Sequence, residues 1–396
     1  MTRRSHGRMG PALLRRINEQ KLLEHLQIYG PSSRARLKRV SGLTAPTVSK
    51  VVDALVERGL LEEIEPTEIA VGRPGKLLRL AHSSAVVLGV LLDAGRCTVV
   101  VAGVDGTIDP TQTRVFRSPD SYPELLTATE VACQDILAEV SGAAQGVAVV
   151  VNGLINNAEQ RVTCCANLHI LDGQDPAGDL AKRIGLRCWM LKGTSALCLS
   201  ERAAGHAVDR DNFAVLDMTT GLGLGAISNG VLVTGHSGLG GEIGHVVVDL
   251  GGALCGCGNR GCLETIATDA ATTRLVSEAV GEPLDQKQAR QVLVERPADC
   301  AQVVDNVARH LAMAAAMVVT ILNPRTLFLH SDLFLEADGN LERVSAWLSR
   351  LGLKASVADC VLKRTTSSKE QAAISAIIHE ITRTWLTGDS PRSSLA

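Results

Sequence analysis

From Leu14 to Ile28 the apolar residues Leu14, Ile17, Leu22 and Leu26 recur at helical spacing, and Gly30-Pro31 stops the run. Ser32 and Ser33 offer caps for a short helix, Arg34 to Val40, closed by Ser41-Gly42. Thr44 caps a third helix that runs to about Arg58 and tolerates Pro46 in its first turn. Leu60 to Leu80 then reads as two strands around Gly72-Arg73-Pro74-Gly75. Three helices followed by a hairpin predict a winged helix-turn-helix over residues 1–80.

The pattern changes at Val86. Val86–Leu92, Cys97–Val104 and Gly146–Val151 are β-rich runs, with a helical stretch over Tyr122–Val140. Phe213–Met218 and Ala226–Val233 read as strands around a glycine-rich turn. Cys300–Leu322 reads as a long helix, Thr326–Leu329 as a strand and Lys369–Thr387 as a final helix. Alternating strands and helices predict an α/β body over residues 81–388. Residues 389–396 are small and polar and predict a disordered tail.

Composition sharpens this division. Apolar residues make up 45% of the chain but aromatics only 2%, so the cores must pack mainly through aliphatic side chains. Residues 1–80 carry 15 Lys and Arg against 8 Asp and Glu, a charge of +7; the remainder carries 25 against 34, a charge of −9. A basic first fifth on an acidic body suggests a nucleic-acid module. The longest apolar run, Leu311 to Leu322, is shorter than a membrane span and fits a buried helix. The N-terminal arginines are not followed by an apolar stretch, so a cytoplasmic protein with no membrane partner is expected. Eleven cysteines in such a chain argue against a disulfide framework.

Two groups of residues carry candidate chemistry. In the third helix Val48, Val52 and Leu55 share an inward face. Thr44, Thr47, Ser49 and Lys50 offer short polar side chains and a cation to base edges and phosphates. Arg34, Arg36, Lys38 and Arg39 lie ahead of them for the phosphate backbone, and Arg73 at the wing tip for the minor groove. The implied partner is double-stranded operator DNA. The second group is His245 with Cys255, Cys257 and Cys262: one imidazole and three thiolates, the donor set of a closed tetrahedral Zn²⁺ site of structural type. The glycines between the cysteines allow turns tight enough for their sulfurs to face one ion.

The segments Gly-Glu-Ile-Gly-His (241–245) and Cys-Gly-Cys-Gly-Asn-Arg-Gly-Cys-Leu-Glu (255–264) resemble the signature of the ROK family of repressors, open reading frames and kinases. The resemblance extends from about Val86 to the last helix, and the N-terminal helices match the repressor branch. It implies a two-lobed, actin-like sugar-kinase fold whose last helix returns to the first lobe. It implies that Glu242, His245 and Glu264 bind sugar hydroxyls, with Asn167 a further cleft residue, and that the histidine touches both zinc and sugar. The kinase parts depart from the family pattern. Family kinases carry an Asn-Asp pair whose Asp is the general base; counting back from Glu201 places it on Lys192 and Gly193, and glycine cannot take a proton. The first phosphate loop, Asp-x-Gly-Gly-Thr, falls on Leu91–Gly95. The second survives as Thr220–Gly225, and the later glycine turn reads His330-Ser331. Lys192 is expected to point into solvent, with an acidic or phosphorylated ligand as the other choice.

The expectation is therefore a non-enzymatic, zinc-containing regulator of carbohydrate-related genes, a repressor acting as a homodimer or homotetramer and sensing a sugar or related ligand. A ROK-type kinase with a fused DNA-binding arm, and a regulator controlled by a protein partner without ligand, stay open.

Overall fold

The computed structural model describes residues 11–65, 76–203, 205–207 and 210–387. The expected wing tip with Arg73 and the expected tail at 389–396 lie outside the described residues. The chain begins with α1 (Pro11–Tyr29), β1 (Ser32–Ser33), α2 (Arg34–Ser41), α3 (Ala45–Glu57), β2 (Leu61–Ile64) and β3 (Leu77–Leu80). The caps are the predicted ones: Ser33 accepts from Arg36 N, and Thr44 from Thr47 N. Leu22, Leu26, Leu37, Val48, Val52 and Leu55 are fully buried between the three helices. β3 is the middle strand of a small antiparallel sheet, with Leu61 opposite Leu80.

Two five-stranded sheets follow. The first contains β4 (Ala85–Leu92), β5 (Cys97–Gly103), β6 (Arg114–Phe116), β7 (Ala143–Val151) and, beyond the short hairpin β8 (Leu154–Asn156) and β9 (Arg161–Cys164), β10 (Cys188–Lys192). Its order is β10-β7-β4-β5-β6; α4 (Tyr122–Glu139) and α5 (Pro176–Ile184) connect its strands, and α6 (Gly193–Ala203) leads from β10 to the second sheet. The second contains β11 (Phe213–Asp217), β12 (Gly223–Ser228), β13 (Val231–Leu232), β14 (Thr326–His330) and β15 (Val361–Arg364) in the order β13-β12-β11-β14-β15. Its helices are α7 (Asp269–Val280), α8 (Gln286–Glu295), α9 (Ala301–Leu322), α10 (Asn340–Leu351) and α11 (Lys354–Asp359); α12 (Lys369–Thr387) closes the chain. Each sheet is an antiparallel three-strand meander extended by two parallel strands, so the lobes repeat one topology. Asp93 and Asn152 directly follow β4 and β7, and Lys192 and Asp217 end β10 and β11, at the edge where open α/β sheets bind ligands.

The predicted strand Ala226–Val233 is broken by a turn at Asn229-Gly230, where both residues adopt positive φ. Gly223 and Gly225, expected in a phosphate-binding turn, lie inside β12. A Cβ on Gly223 would stand 2.8 Å from Thr194 Cγ2 and one on Gly225 would overlap Thr194 O, so here glycine lets α6 pack on the strand. Among the described residues α9 alone is long and apolar enough to cross a membrane, and 61% of its apolar window is buried in the second lobe.

α12 packs on α6, β4 and β7 of the first lobe and also on α1. One hydrophobic core therefore runs from Leu22 and Leu26 through Leu55 to Ile374, Ile377 and Ile381. A polar clamp joins the same two parts. Glu62 accepts hydrogen bonds from His82 N, Ser83 N and Ser84 Oγ, at the start of the body, and from Arg79. Burial works against its charge, but these donors, Arg79 foremost, outweigh it and hold its pKa down to about 2. Because the folded value lies below the ordinary one, the clamp contributes stability above about pH 4.5 that is lost as pH falls towards 2. Glu62→Gln should melt at a lower temperature than wild type at neutral pH, and the gap should close across that acid window in thermal scans.

The two lobes meet at Lys369, the first residue of α12. Its ammonium lies 3.2 Å from Asp93 Oδ2, beyond β4, and 3.7 Å from Asp217 Oδ2, at the end of β11. Burial opposes its charge, but Asp217 and Asp93 outweigh that and hold its pKa above the usual lysine value. Lys369→Met strands two carboxylates and should cost about 3 kcal/mol in urea denaturation. Adding Asp93→Asn should recover part of that loss, because one stranded charge is removed.

Candidate functional site

The cleft between the lobes is lined by Asn152, Asn167, Lys192, Thr194, Asp217, Gly221, Glu242, His245 and Glu264, around a cavity of about 50 Å³. All four sugar-ligand candidates therefore face one space. Glu242 and His245 come from the loop after β13, ending in the turn Ile243–His245. Glu264 follows the last cysteine. Asn167 follows β9, and a Cβ on Gly221 would stand 3.1 Å from its Nδ2 and 3.2 Å from Glu264 Oε2. Glycine at 221 thus keeps the cleft open between them.

His245 and the three cysteines hold their ligand atoms within 4.8 Å of one another. Cys257 Sγ lies 3.7 Å from Cys262 Sγ, and Cys255 Sγ lies 3.6 Å from His245 Nδ1. A tetrahedron with metal–sulfur bonds of about 2.3 Å has edges of about 3.8 Å, so the spacing fits one metal ion. The loop reaches this shape through Gly258 at φ 93° and Gly261 at φ 69°, with Cys255 N bonded to Asn259 O at 2.8 Å. Cys255 and Cys262 are buried and Cys257 is half-buried. His245 turns Nδ1 towards the cysteines and Nε2 towards Glu242, at 3.7 Å from Oε2. The imidazole therefore stands between the metal-ligand group and the cleft, an orientation that binding a metal would fix.

Lys192 departs from the expectation of a solvent-facing side chain. It ends β10 with only 13% of its side chain exposed; its ammonium reaches across the cleft to the Glu242 carboxylate and lies 2.8 Å from Gly240 O. The residues before it on β10 pack alternately into two hydrophobic clusters, Trp189 and Leu191 into one and Cys188 and Met190 into the other. Gly193 opens α6, and a Cβ there would overlap Asn152 Oδ1. An asparagine amide thus occupies the space beside the position where a catalytic carboxylate would stand.

The part of the cleft around Asp93 is filled from within. Asp93 Oδ2 accepts from Asn152 Nδ2 and Thr220 Oγ1, both at 3.0 Å, and from Lys369. Only about 10 Å³ remains between Leu91, Asn152, Gly193, Asp217 and Lys369. Behind His330-Ser331, buried Asp269 accepts from Ser331 Oγ and from the backbone N–H groups of Asp332, Leu333 and Phe334 at 2.6–3.1 Å. Burial pushes its pKa up to about 6 against the pull of these donors. Asp93, Asn152, Lys369 and Asp269 escaped the sequence reading because their partners lie 59 to 276 residues away. Asp93 was legible only as a carboxylate standing in a phosphate loop.

On the N-terminal helices Thr44 and Lys50 are exposed at the start of α3, and Thr47 and Ser49 are half-buried beside them. Thr44 and Thr47 share a hydroxyl contact at 2.8 Å. Arg36, Lys38 and Arg39 are exposed on α2. Arg34 is not free for a phosphate: it pairs with Asp53 and Glu63, both at 2.9 Å, tying α2 to α3 and β2.

Among known proteins, the chain is 25% identical over 343 residues to the DNA-binding transcriptional dual regulator NagC of Escherichia coli K12, covering 82% of each. It is 24% identical over 326 residues to the xylose repressor of Bacillus subtilis, covering 81% of this chain and 83% of that one. A crystal structure of a ROK family transcriptional regulator, a homologue of the E. coli MLC protein, superposes with a TM-score of 0.78 at 22% identity, covering 95% of this chain and 98% of that one. The family includes kinases as well as repressors, so membership alone does not decide the chemistry of the cleft. The ROK family model matches residues 88–378, and the chain belongs to the ROK family.

Proposed function

We propose that this chain is a DNA-binding transcriptional repressor of carbohydrate-related genes, with a non-catalytic kinase-like body that senses a sugar or related ligand. The observation that carries this reading is the occupied cleft. Phosphoryl transfer needs a base and a phosphate cradle. Residue 193 has no side chain, and Asp93 with Lys369 leaves room for at most about one water. This argues against the kinase reading. Glu242, His245, Glu264 and Asn167 remain around the cleft as the sugar-binding group, with carboxylates to accept hydroxyl hydrogens. The contact of Lys192 with Glu242 occupies one of them, and that favours a second reading, a regulator controlled by a protein partner without a sugar.

In this proposal residues 1–80 form the DNA-binding domain, 81–388 the ROK body and 389–396 a tail. Thr44, Thr47, Ser49 and Lys50 read the operator's major groove and Arg73 its minor groove, while Arg36, Lys38 and Arg39 hold phosphates. A homodimer or homotetramer in the cytoplasm sets these helices on a pseudo-palindromic site. Effector binding shifts the population between DNA-competent and incompetent states. His245, Cys255, Cys257 and Cys262 would hold one structural Zn²⁺, which fixes the loop that carries Glu242 and Glu264.

The purified protein should retard its own promoter duplex with an affinity that falls steeply with salt. Lys50→Ala should lower the slope of log affinity against log salt by roughly one. Absence of duplex binding at low salt would sink the regulator reading. Cys257→Ser should take zinc, measured by elemental analysis, from about one per chain to well below one. A variant that kept its zinc would overturn the ligand assignment.

A further inference from the structure

Lys192, Gly193 and Thr194 make a group that sugar-hydroxyl recognition does not use. α6 begins at Gly193, runs 11 residues and has no acidic side chain in its first turn. The leading N–H groups of a helix have no acceptors within it, and the helix dipole adds partial positive charge at this end. Lys192, immediately before it, brings a full positive charge into the cleft. Thr194 lines the same cleft, is only 4% exposed, and its hydroxyl is buried with no hydrogen-bond partner. Gly193 leaves the helix end free of a carboxylate that would repel an anion.

We propose that the N-terminus of α6, with Lys192 and Thr194, is a subsite for an anionic group, a carboxylate or a phosphate, carried by the sugar effector. The proposal rests on the sugar-sensing reading above. The surrounding charges are compatible with it. Asp93 and Asp217 are matched by Lys369, and Asp93 is further held by Thr220 and Asn152. Glu264 faces His245 at 3.5 Å and Leu222 N at 3.5 Å. Glu242 is matched by Lys192, whose ammonium has three donors; Glu242 and Gly240 O engage two. An incoming anion takes the third, satisfies the Thr194 hydroxyl and closes on the first-turn N–H groups, as anions do at helix N-termini.

The test is titration calorimetry on the full-length, zinc-loaded protein with D-glucose, D-gluconate, D-glucose 6-phosphate and inorganic phosphate. At least one charged sugar should bind roughly tenfold tighter than glucose, with salt-sensitive affinity; the better of the two identifies carboxylate or phosphate as the group recognised. Lys192→Gln should collapse that preference to about one, and Thr194→Val should reduce it, with thermal melts establishing that both variants fold. Glucose binding as tightly as both charged sugars, or a preference unchanged in Lys192→Gln, overturns the subsite. Glucose binding without any anion overturns the subsite and leaves sugar sensing standing. Inorganic phosphate bound in a Lys192-dependent way, with no sugar bound, supports the subsite and overturns sugar sensing. Heat from none of the probes overturns both.

Discussion

A cation taken out of water is stable only where opposite charge surrounds it closely, and Lys369 meets that condition with one carboxylate from each lobe. Asp93 stands beyond the last residue of β4, Asp217 ends β11, and the ammonium between them begins α12. None of the three can move far without leaving a charge unpaired. The relative position of the lobes, the floor of the cleft and the start of the last helix are therefore set together.

The filled space around Asp93 follows from that constraint. A phosphate cradle must present uncompensated donors to an incoming anion. Here Asn152, Thr220 and Lys369 already donate to Asp93, and the N–H groups after Ser331 already donate to Asp269. The chain's own carboxylates already occupy these donors. The other part of the cleft keeps its space, with the candidate metal site of His245, Cys255, Cys257 and Cys262 on one wall beside Glu242 and Glu264.

Local chemistry was the most legible part of the sequence. Thr44, Ser33 and Gly42 mark helix ends whatever surrounds them, and the Cys255–Cys262 spacing brings donors together within one loop. Gly193 was readable as a position without a side chain, and the space a side chain would need there is taken by Asn152 Oδ1. What could not be read is what depends on distant pairing. Lys192 turns to Glu242 and Gly240 O, 50 and 48 residues away, and Arg34 is held by Asp53 and Glu63. Gly223 and Gly225 resemble a turn, but serve the approach of α6 to β12. The repetition of one topology in both lobes leaves no trace in the residues, since a sheet requires only apolar positions of suitable spacing.

α12 gives the body a route to the N-terminal helices. Lys369 fixes its start between the lobes. Ala373, Ile374 and Ile377 pack it in the first-lobe side of the core, and the same core continues into Leu22, Leu26 and Leu55 beneath α3. Any relative movement of the lobes would change the spacing of Asp93 and Asp217. The ammonium between them must then shift, tilt α12 or lose a partner. Because a close-packed aliphatic core transmits strain rather than absorbing it, such a movement would reach α1 through side-chain packing. The Glu62 clamp holds the junction on its polar side, so α1 cannot respond by simply separating from the body. Coupling between cleft and DNA face requires an element with two arrangements that both sites bias. In this fold α12 reaches the cleft floor through Lys369 and the N-terminal helices through its packing on α1.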